Sequence, residues 1–175
     1  MQFRSQSPEA TRAAARALGC AIGSEGLVVA LCGPLGAGKT LFVKGLAAGL
    51  GIDAGQVASP TFVIASAYGA AGSGRPLAHV DLYRVDSVGE LDAAGFLDLL
   101  APGSVVAVEW ADRLPDALPA ERLEVRIARP EAADAQPGCV RTVEARARGA
   151  AAEAALARWR AALSEAESVE LSSAA

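Results

Sequence analysis

Apolar residues recur along this chain with two different periods, and the switches between them mark its elements. Leu27–Cys32 and residues 105–108 are short, continuous apolar runs rich in β-branched side chains. That is the pattern of strands buried on both faces of a parallel sheet. Leu41, Phe42, Val43, Leu46 and Leu50 fall at helical spacing, and Gly51 stands where a helix C-cap belongs. Ser7-Pro8-Glu9 predicts an earlier helix, with a Ser N-cap, Pro at the first helical position and an acid in the first turn. It should run to about Leu18 or Ile22. Residues 62–68 and 77–83 read as two strands, joined by a Gly-rich hairpin turn at 69–74.

The second half continues in the same manner. Ser87-Val88-Gly89-Glu90 has the S-x-x-E spacing of a capping box and opens a short helix. Residues 95–100 add a helical turn or two, stopped at Pro102-Gly103. Residues 123–128 and 140–147 alternate apolar with charged side chains, as half-solvated strands do, with a loop at 129–138 between them. From 150 to 167 the composition is helical, with Leu156, Trp159 and Leu163 as its apolar stripe. Residues 168–175 read as a frayed tail. The fold expected from this order is a three-layer α/β domain, with a mixed, mainly parallel sheet between helices. Residues 1–148 form the domain, and the Ala-rich helix and tail at 149–175 pack on it or extend it.

Composition narrows the class. The chain has 175 residues and a net charge of -4, enough for one domain with a substantial core. Neither half is basic, which argues against direct nucleic-acid binding driven by charge. No apolar run is long enough to span a membrane, and the first ten residues lack the apolar stretch of a signal peptide. The three cysteines, Cys20, Cys32 and Cys139, form no CxxC. They read as buried or reduced thiols of a cytoplasmic protein.

The chemistry begins at Gly33-Pro34-Leu35-Gly36-Ala37-Gly38-Lys39-Thr40, a G-x-x-x-x-G-K-T loop set between a predicted strand and a predicted helix. Glycines let successive backbone N–H groups turn toward phosphate oxygens, and the helix N-terminus adds its dipole. Lys39 supplies a point charge, and the Thr40 hydroxyl is a ligand for Mg²⁺. The sequence holds fourteen arginines and two lysines, yet Lys occupies this position. A compact ammonium suits it better than a planar guanidinium. Two acids at predicted strand ends qualify to complete the site, Glu109 after residues 105–108 and Asp81 within His79-Val80-Asp81-Leu82-Tyr83. Asp81 also has Arg84 and His79 as potential partners, and His79 reads as a structural imidazole. Trp110, beside Glu109, is either core or a wall of the nucleotide pocket. The chain lacks asparagine, so the N/T-K-x-D guanine-reading motif is absent and adenine is the expected base.

Taken together, Thr11 on the first helix, the phosphate loop, Ser59-Pro60-Thr61-Phe62, His79-Val80-Asp81-Leu82-Tyr83-Arg84 and Glu109-Trp110 resemble the TsaE (YjeE) family over about residues 7–148. The resemblance implies an ATPase that supports threonylcarbamoyl modification of tRNA adenosine together with the TsaB–TsaD pair, meeting tRNA only through that complex. It implies ATP and Mg²⁺ as cofactors, Lys39, Asp81 and Glu109 as catalytic residues, and Thr40 and Glu109 as metal ligands. Thr11, Gly33, Leu35, Gly36, Ala37, Gly38, Lys39, Thr40, Leu41 and Thr61 would surround the nucleotide, with Asp81 and the Ser59 corner as a switch near the γ-phosphate. No membrane is involved, and the protein alone would be a monomer or self-associate weakly. Pro34 and Leu41 depart from the family, which commonly has Asp and Thr there; Pro34 removes an N–H and Leu41 a hydroxyl, so altered affinity is expected rather than a dead site. Two other readings compete: a small-molecule P-loop kinase and a nucleotide-gated binding module with vestigial ATPase. The kinase lacks a basic lid, since residues 87–103 carry only acids among their charged side chains.

Overall fold

The computed structural model describes residues 1–60, 64–69, 75–129, 140–165 and 169–172. In chain order they form β1 (Gln2–Ser5), α1 (Pro8–Ala21), β2 (Leu27–Cys32), α2 (Lys39–Gly49), β3 (Ala65–Tyr68), β4 (Leu77–Asp81), α3 (Val88–Ala93), β5 (Val105–Glu109), β6 (Arg122–Ala128), β7 (Arg141–Arg148), α4 (Ala150–Ser164) and β8 (Val169–Ser172). Their starts and stops have local causes. Ser7 caps α1 by accepting from the Ala10 N–H at 3.1 Å, and Pro8 follows without a donor to lose. Ser87 caps α3 in the same way, accepting from Glu90 N–H at 3.2 Å. Glu90 reaches back to the Asp86 N–H rather than to that of Ser87, so the box is displaced by one residue.

All eight strands lie in one sheet of order β3-β4-β5-β2-β6-β7-β1-β8. Its centre, β4-β5-β2-β6, is parallel, and β3 on one side and β7, β1 and β8 on the other are antiparallel. The central β2 and β5 are the two continuous apolar runs, as burial on both faces requires. One face packs on α1, α2 and α4 through a single large core. The opposite face, over β4, β5 and β2, is covered by α3, the 3-10 turn Phe96–Leu100 and the loop after β5.

Two strands go beyond the sequence expectation. Gln2–Ser5 is too short to show a period, yet it pairs with β7 and buries Phe3 completely. The segment read as a frayed tail supplies β8, which pairs with β1. Both exist because the sheet offers a partner edge, a long-range cause that a local pattern does not carry. The hairpin expected at 69–74 lies largely outside the described residues, but β3 and β4 are antiparallel as it requires. Cys20 and Cys32 are free thiols, and Cys139 lies outside the described residues.

The C-terminal helix is tied into the core by Trp159. Its ring meets Phe3 edge-on at 5.7 Å and Phe42 at 6.0 Å, and its indole N–H donates to the Ala14 carbonyl at 2.8 Å. The Leu163 side chain of the predicted stripe is buried in the same core, and Leu156 packs at the margin. Helices α1 and α2 approach so closely that only glycine fits at their contact. A Cβ at Gly45 would run into the Arg12 carbonyl, and one at Gly49 into the Arg16 carbonyl. Gly45→Ala therefore sets two effects against each other. Alanine gains about 1 kcal/mol in helix propensity, whereas overpacking against backbone costs about 1–3 kcal/mol. Because a carbonyl cannot rotate away as a side chain can, the upper part of that range, about 2–3 kcal/mol, applies, and Gly45→Ala is expected to destabilise by a net ~1–2 kcal/mol, read as a lower urea midpoint. A midpoint equal to or above that of the parent protein would contradict so tight a contact.

Candidate functional site

The phosphate loop leaves β2 and enters α2, so its backbone is pinned at both ends by the core. Gly33, Gly36 and Gly38 have φ values of 144°, 72° and 109°, a region that side-chain-bearing residues rarely adopt. At Gly33 a Cβ would also collide with the Ile127 carbonyl of the neighbouring strand. The loop is thus a cradle that glycine alone can form.

Lys39 points into it. Its ammonium donates to the carbonyls of Gly33 at 2.7 Å and Pro34 at 3.1 Å. It also lies 3.5 Å from the centre of the Trp110 ring, a cation–π contact. Burial pushes the lysine pKa below its ordinary value, and the carboxylates of Glu109, Asp112 and Asp81 push back. Trp110 reaches this position from a left-handed backbone, φ 58°, which costs about 1–2 kcal/mol for a residue with a side chain. Tyr83 packs against the indole, ring centres 4.9 Å apart.

Glu109 and Asp81 end adjacent parallel strands and are direct partners in the ladder. Glu109 also pairs in register with Leu31 beside the loop. This places the carboxyl ends of three parallel strands around one point, where ligands of open α/β sheets bind. Thr40, at the start of α2, donates its hydroxyl to Glu109 Oε1 at 2.8 Å. The same oxygen lies 2.8 Å from His79 Nε2, in a buried contact. Asp81 takes hydrogen bonds from the Tyr83 N–H at 2.9 Å and the Ser59 hydroxyl at 3.3 Å, in place of the Arg84 or His79 contact weighed from sequence.

A cavity of about 410 Å³ opens between these groups, lined among others by Leu35, Lys39, Thr40, Ser59, Asp81 and Glu109. Gly36, Gly38, Leu41 and Trp110 also face it. Other expected residues stand differently. The Ala37 side chain is buried, and its N–H closes a turn onto the Pro34 carbonyl at 3.1 Å. The hydroxyl of Thr11 is not at the cavity wall. It bonds to Ser5 Oγ at 2.7 Å and to the Ser7 carbonyl at 3.1 Å, in a buried cluster at the start of α1. Thr61 lies outside the described residues.

Sequence reasoning missed two arginines. Arg129 donates to the Gly36 carbonyl at 2.8 Å, and Arg141 donates to the Ala37 carbonyl at 2.7 Å. They take up two carbonyls of the loop, tying it to residues that follow β6 and begin β7. In the sequence they look like ordinary charged positions in or beside alternating strands; the only hint is that they flank the long loop after the strand next to β2.

Chemically, the cradle and Lys39 fit the phosphates of a nucleotide. Thr40 and Glu109 present hard oxygens 2.8 Å apart, which suit Mg²⁺. Among the described residues no three or more His, Cys, Asp or Glu side chains gather to hold a metal. A divalent ion here would draw its remaining ligands from water and phosphate oxygens, as Mg²⁺ commonly does. Lys39→Ala is expected to weaken nucleotide binding by about 2–4 kcal/mol, roughly 30- to 1000-fold in Kd. Titration with a fluorescent nucleotide measures it; a change under threefold would remove Lys39 from the binding site.

Known proteins resemble this chain in sequence and fold. The family model for "Threonylcarbamoyl adenosine biosynthesis protein TsaE" matches residues 5–136. A Streptomyces coelicolor protein named tRNA threonylcarbamoyladenosine biosynthesis protein TsaE is 45% identical over 108 residues, spanning 59% of this chain and 70% of its own. The Bacillus subtilis protein of the same name is 41% identical over 129 residues, 74% of this chain and 78% of its own. The crystal structure of Bacillus subtilis YdiB superposes with a TM-score of 0.68 at 34% identity, over 93% of this chain and 95% of that one. A P-loop between β2 and α2, two strand-end acids beside it and a family match over most of the domain lead to one assignment: this chain belongs to the TsaE family.

Proposed function

We propose that this chain binds ATP with Mg²⁺ in the cavity beside Lys39 and hydrolyses it slowly, in support of tRNA threonylcarbamoyladenosine formation by a TsaB–TsaD pair. The observation that carries the reading is the hydrogen bond from Thr40 to Glu109 at 2.8 Å, next to a lysine held at the centre of a phosphate cradle. Hydroxyl, carboxylate and ammonium are the three groups that a P-loop nucleotidase brings to Mg²⁺ and phosphate.

Each residue has a role that its environment supports. Lys39 neutralises phosphate charge, and its seclusion from bulk water strengthens that interaction. Thr40 and Glu109 would hold the ion, which would supply positive charge to the bound phosphates. Asp81 is oriented by Ser59 and the Tyr83 N–H at the cavity wall. From there it acts as the switch that senses the γ-phosphate. Both carboxylates are already engaged, Glu109 by Thr40 and His79 and Asp81 by Ser59 and the Tyr83 N–H. Neither carboxylate stands unengaged beside the cavity, in keeping with slow hydrolysis rather than efficient transfer to a small molecule.

No helix of the described residues is long and apolar enough to cross a membrane, and the proposed place of action is the cytoplasm, where tRNA is modified. On its own the chain is a monomer or self-associates weakly; it docks on the pair and meets tRNA only through it.

The deciding experiment is ATP hydrolysis by the purified protein with Mg²⁺, alone and with TsaB, TsaD and tRNA. Slow turnover alone, stimulation by the pair, and loss of roughly 100-fold or more in Glu109→Gln are expected. Hydrolysis that the pair neither binds nor stimulates would refute the proposed partnership, and activity that survives Glu109→Gln would refute the metal site.

A further inference from the structure

His79 does not line the cavity, yet it is fully buried and touches the central carboxylate. It sits on β4 in register with Ala107 of β5, and Glu109 is the next residue of β5 on the same face. The small Ala107 side chain leaves the imidazole room to cross diagonally to Glu109. There Nε2 lies 2.8 Å from Oε1, the oxygen that also accepts from Thr40.

Nδ1 is buried and has no hydrogen-bond partner among the described residues. A carboxylate oxygen only accepts, so the nitrogen that faces it, Nε2, carries a hydrogen and donates to Glu109. With two donors on Oε1, further acceptor capacity of the carboxylate lies chiefly on Oε2.

We infer that His79 is a positioning residue for the metal-ligating carboxylate, locking Glu109 in one rotamer through Nε2–H so that Mg²⁺ finds a preformed ligand. The inference rests on Glu109 as a Mg²⁺ ligand in the proposed function. It follows the general physics of metal sites, in which a hydrogen-bonded outer partner orients a ligand and its loss costs about 10- to 100-fold in metal affinity. His79 would contact neither nucleotide nor metal itself.

The test is the Mg²⁺ concentration dependence of fluorescent ADP binding, compared with ADP binding in EDTA. His79→Leu keeps much of the volume and removes the donor; it is expected to raise the Mg²⁺ midpoint by about 10- to 100-fold while EDTA binding stays within about threefold. His79→Gln places an amide N–H at the same bond count as Nε2 and should restore the midpoint to within about threefold. His79→Asn, one bond shorter, should not. If His79→Leu fails to fold, the Gln and Asn pair alone decides: equal midpoints overturn the inference. A folded His79→Leu with an unchanged Mg²⁺ midpoint overturns it as well, and shows a packing role only. A parent protein whose binding ignores Mg²⁺ overturns both this inference and the metal reading of Glu109, so the two failures are distinguishable.

Discussion

The constraint on which this structure turns is the placement of one ammonium group away from water. Lys39 is almost wholly buried, and an unpaired charge in that position is costly. The surroundings answer that cost in several ways at once. Two carbonyls of its own loop accept from it, an indole face lies over it, and strand-end carboxylates stand nearby. Each of these demands something of the fold. The carbonyls require glycine dihedrals, the indole requires a left-handed backbone at Trp110, and the carboxylates require β4, β5 and β2 to end at one level. The site is therefore less an addition to the sheet than the reason for its central register.

That register follows in turn from the apolar runs of β2 and β5. Their burial on both faces fixes which side chains meet α2, and a slip by one residue would turn Glu109 to the opposite face. The glycine contacts between α1 and α2 hold the other half of the arrangement, since α2 begins at Lys39. Core packing and phosphate binding share the same residues along this path.

How much of this could be read in the sequence depended on whether its cause was local. β2, β5, the P-loop and the cap at Ser7 were legible because period, glycines and a side-chain oxygen act within a few residues. Glu109 and Asp81 were legible because an acid that closes an apolar strand stands at the carboxyl edge of the sheet, where ligands bind. The antiparallel β1 and β8 were not, because a four-residue strand is defined by its neighbour rather than by itself. Arg129 and Arg141 were hidden for the same reason; their meaning depends on a loop distant in sequence. Thr11 was singled out only by its place in the family pattern; what the structure adds is that its hydroxyl bonds to Ser5 and to the Ser7 carbonyl.

The outer braces of the phosphate loop have a consequence for how the protein comes into being. Gly36 and Ala37 are made early, but the arginines that fasten them follow 93 and 104 positions later. Arg141 belongs to β7, which also carries the first strand of the chain along its edge. During synthesis from the N-terminus, the cradle is thus complete in sequence long before it is complete in shape. Contacts of such separation form late and slowly. A ribosome-bound fragment ending before Arg129 would have the whole motif and a loop without its outer support, so nucleotide affinity should arrive as a property of the finished sheet.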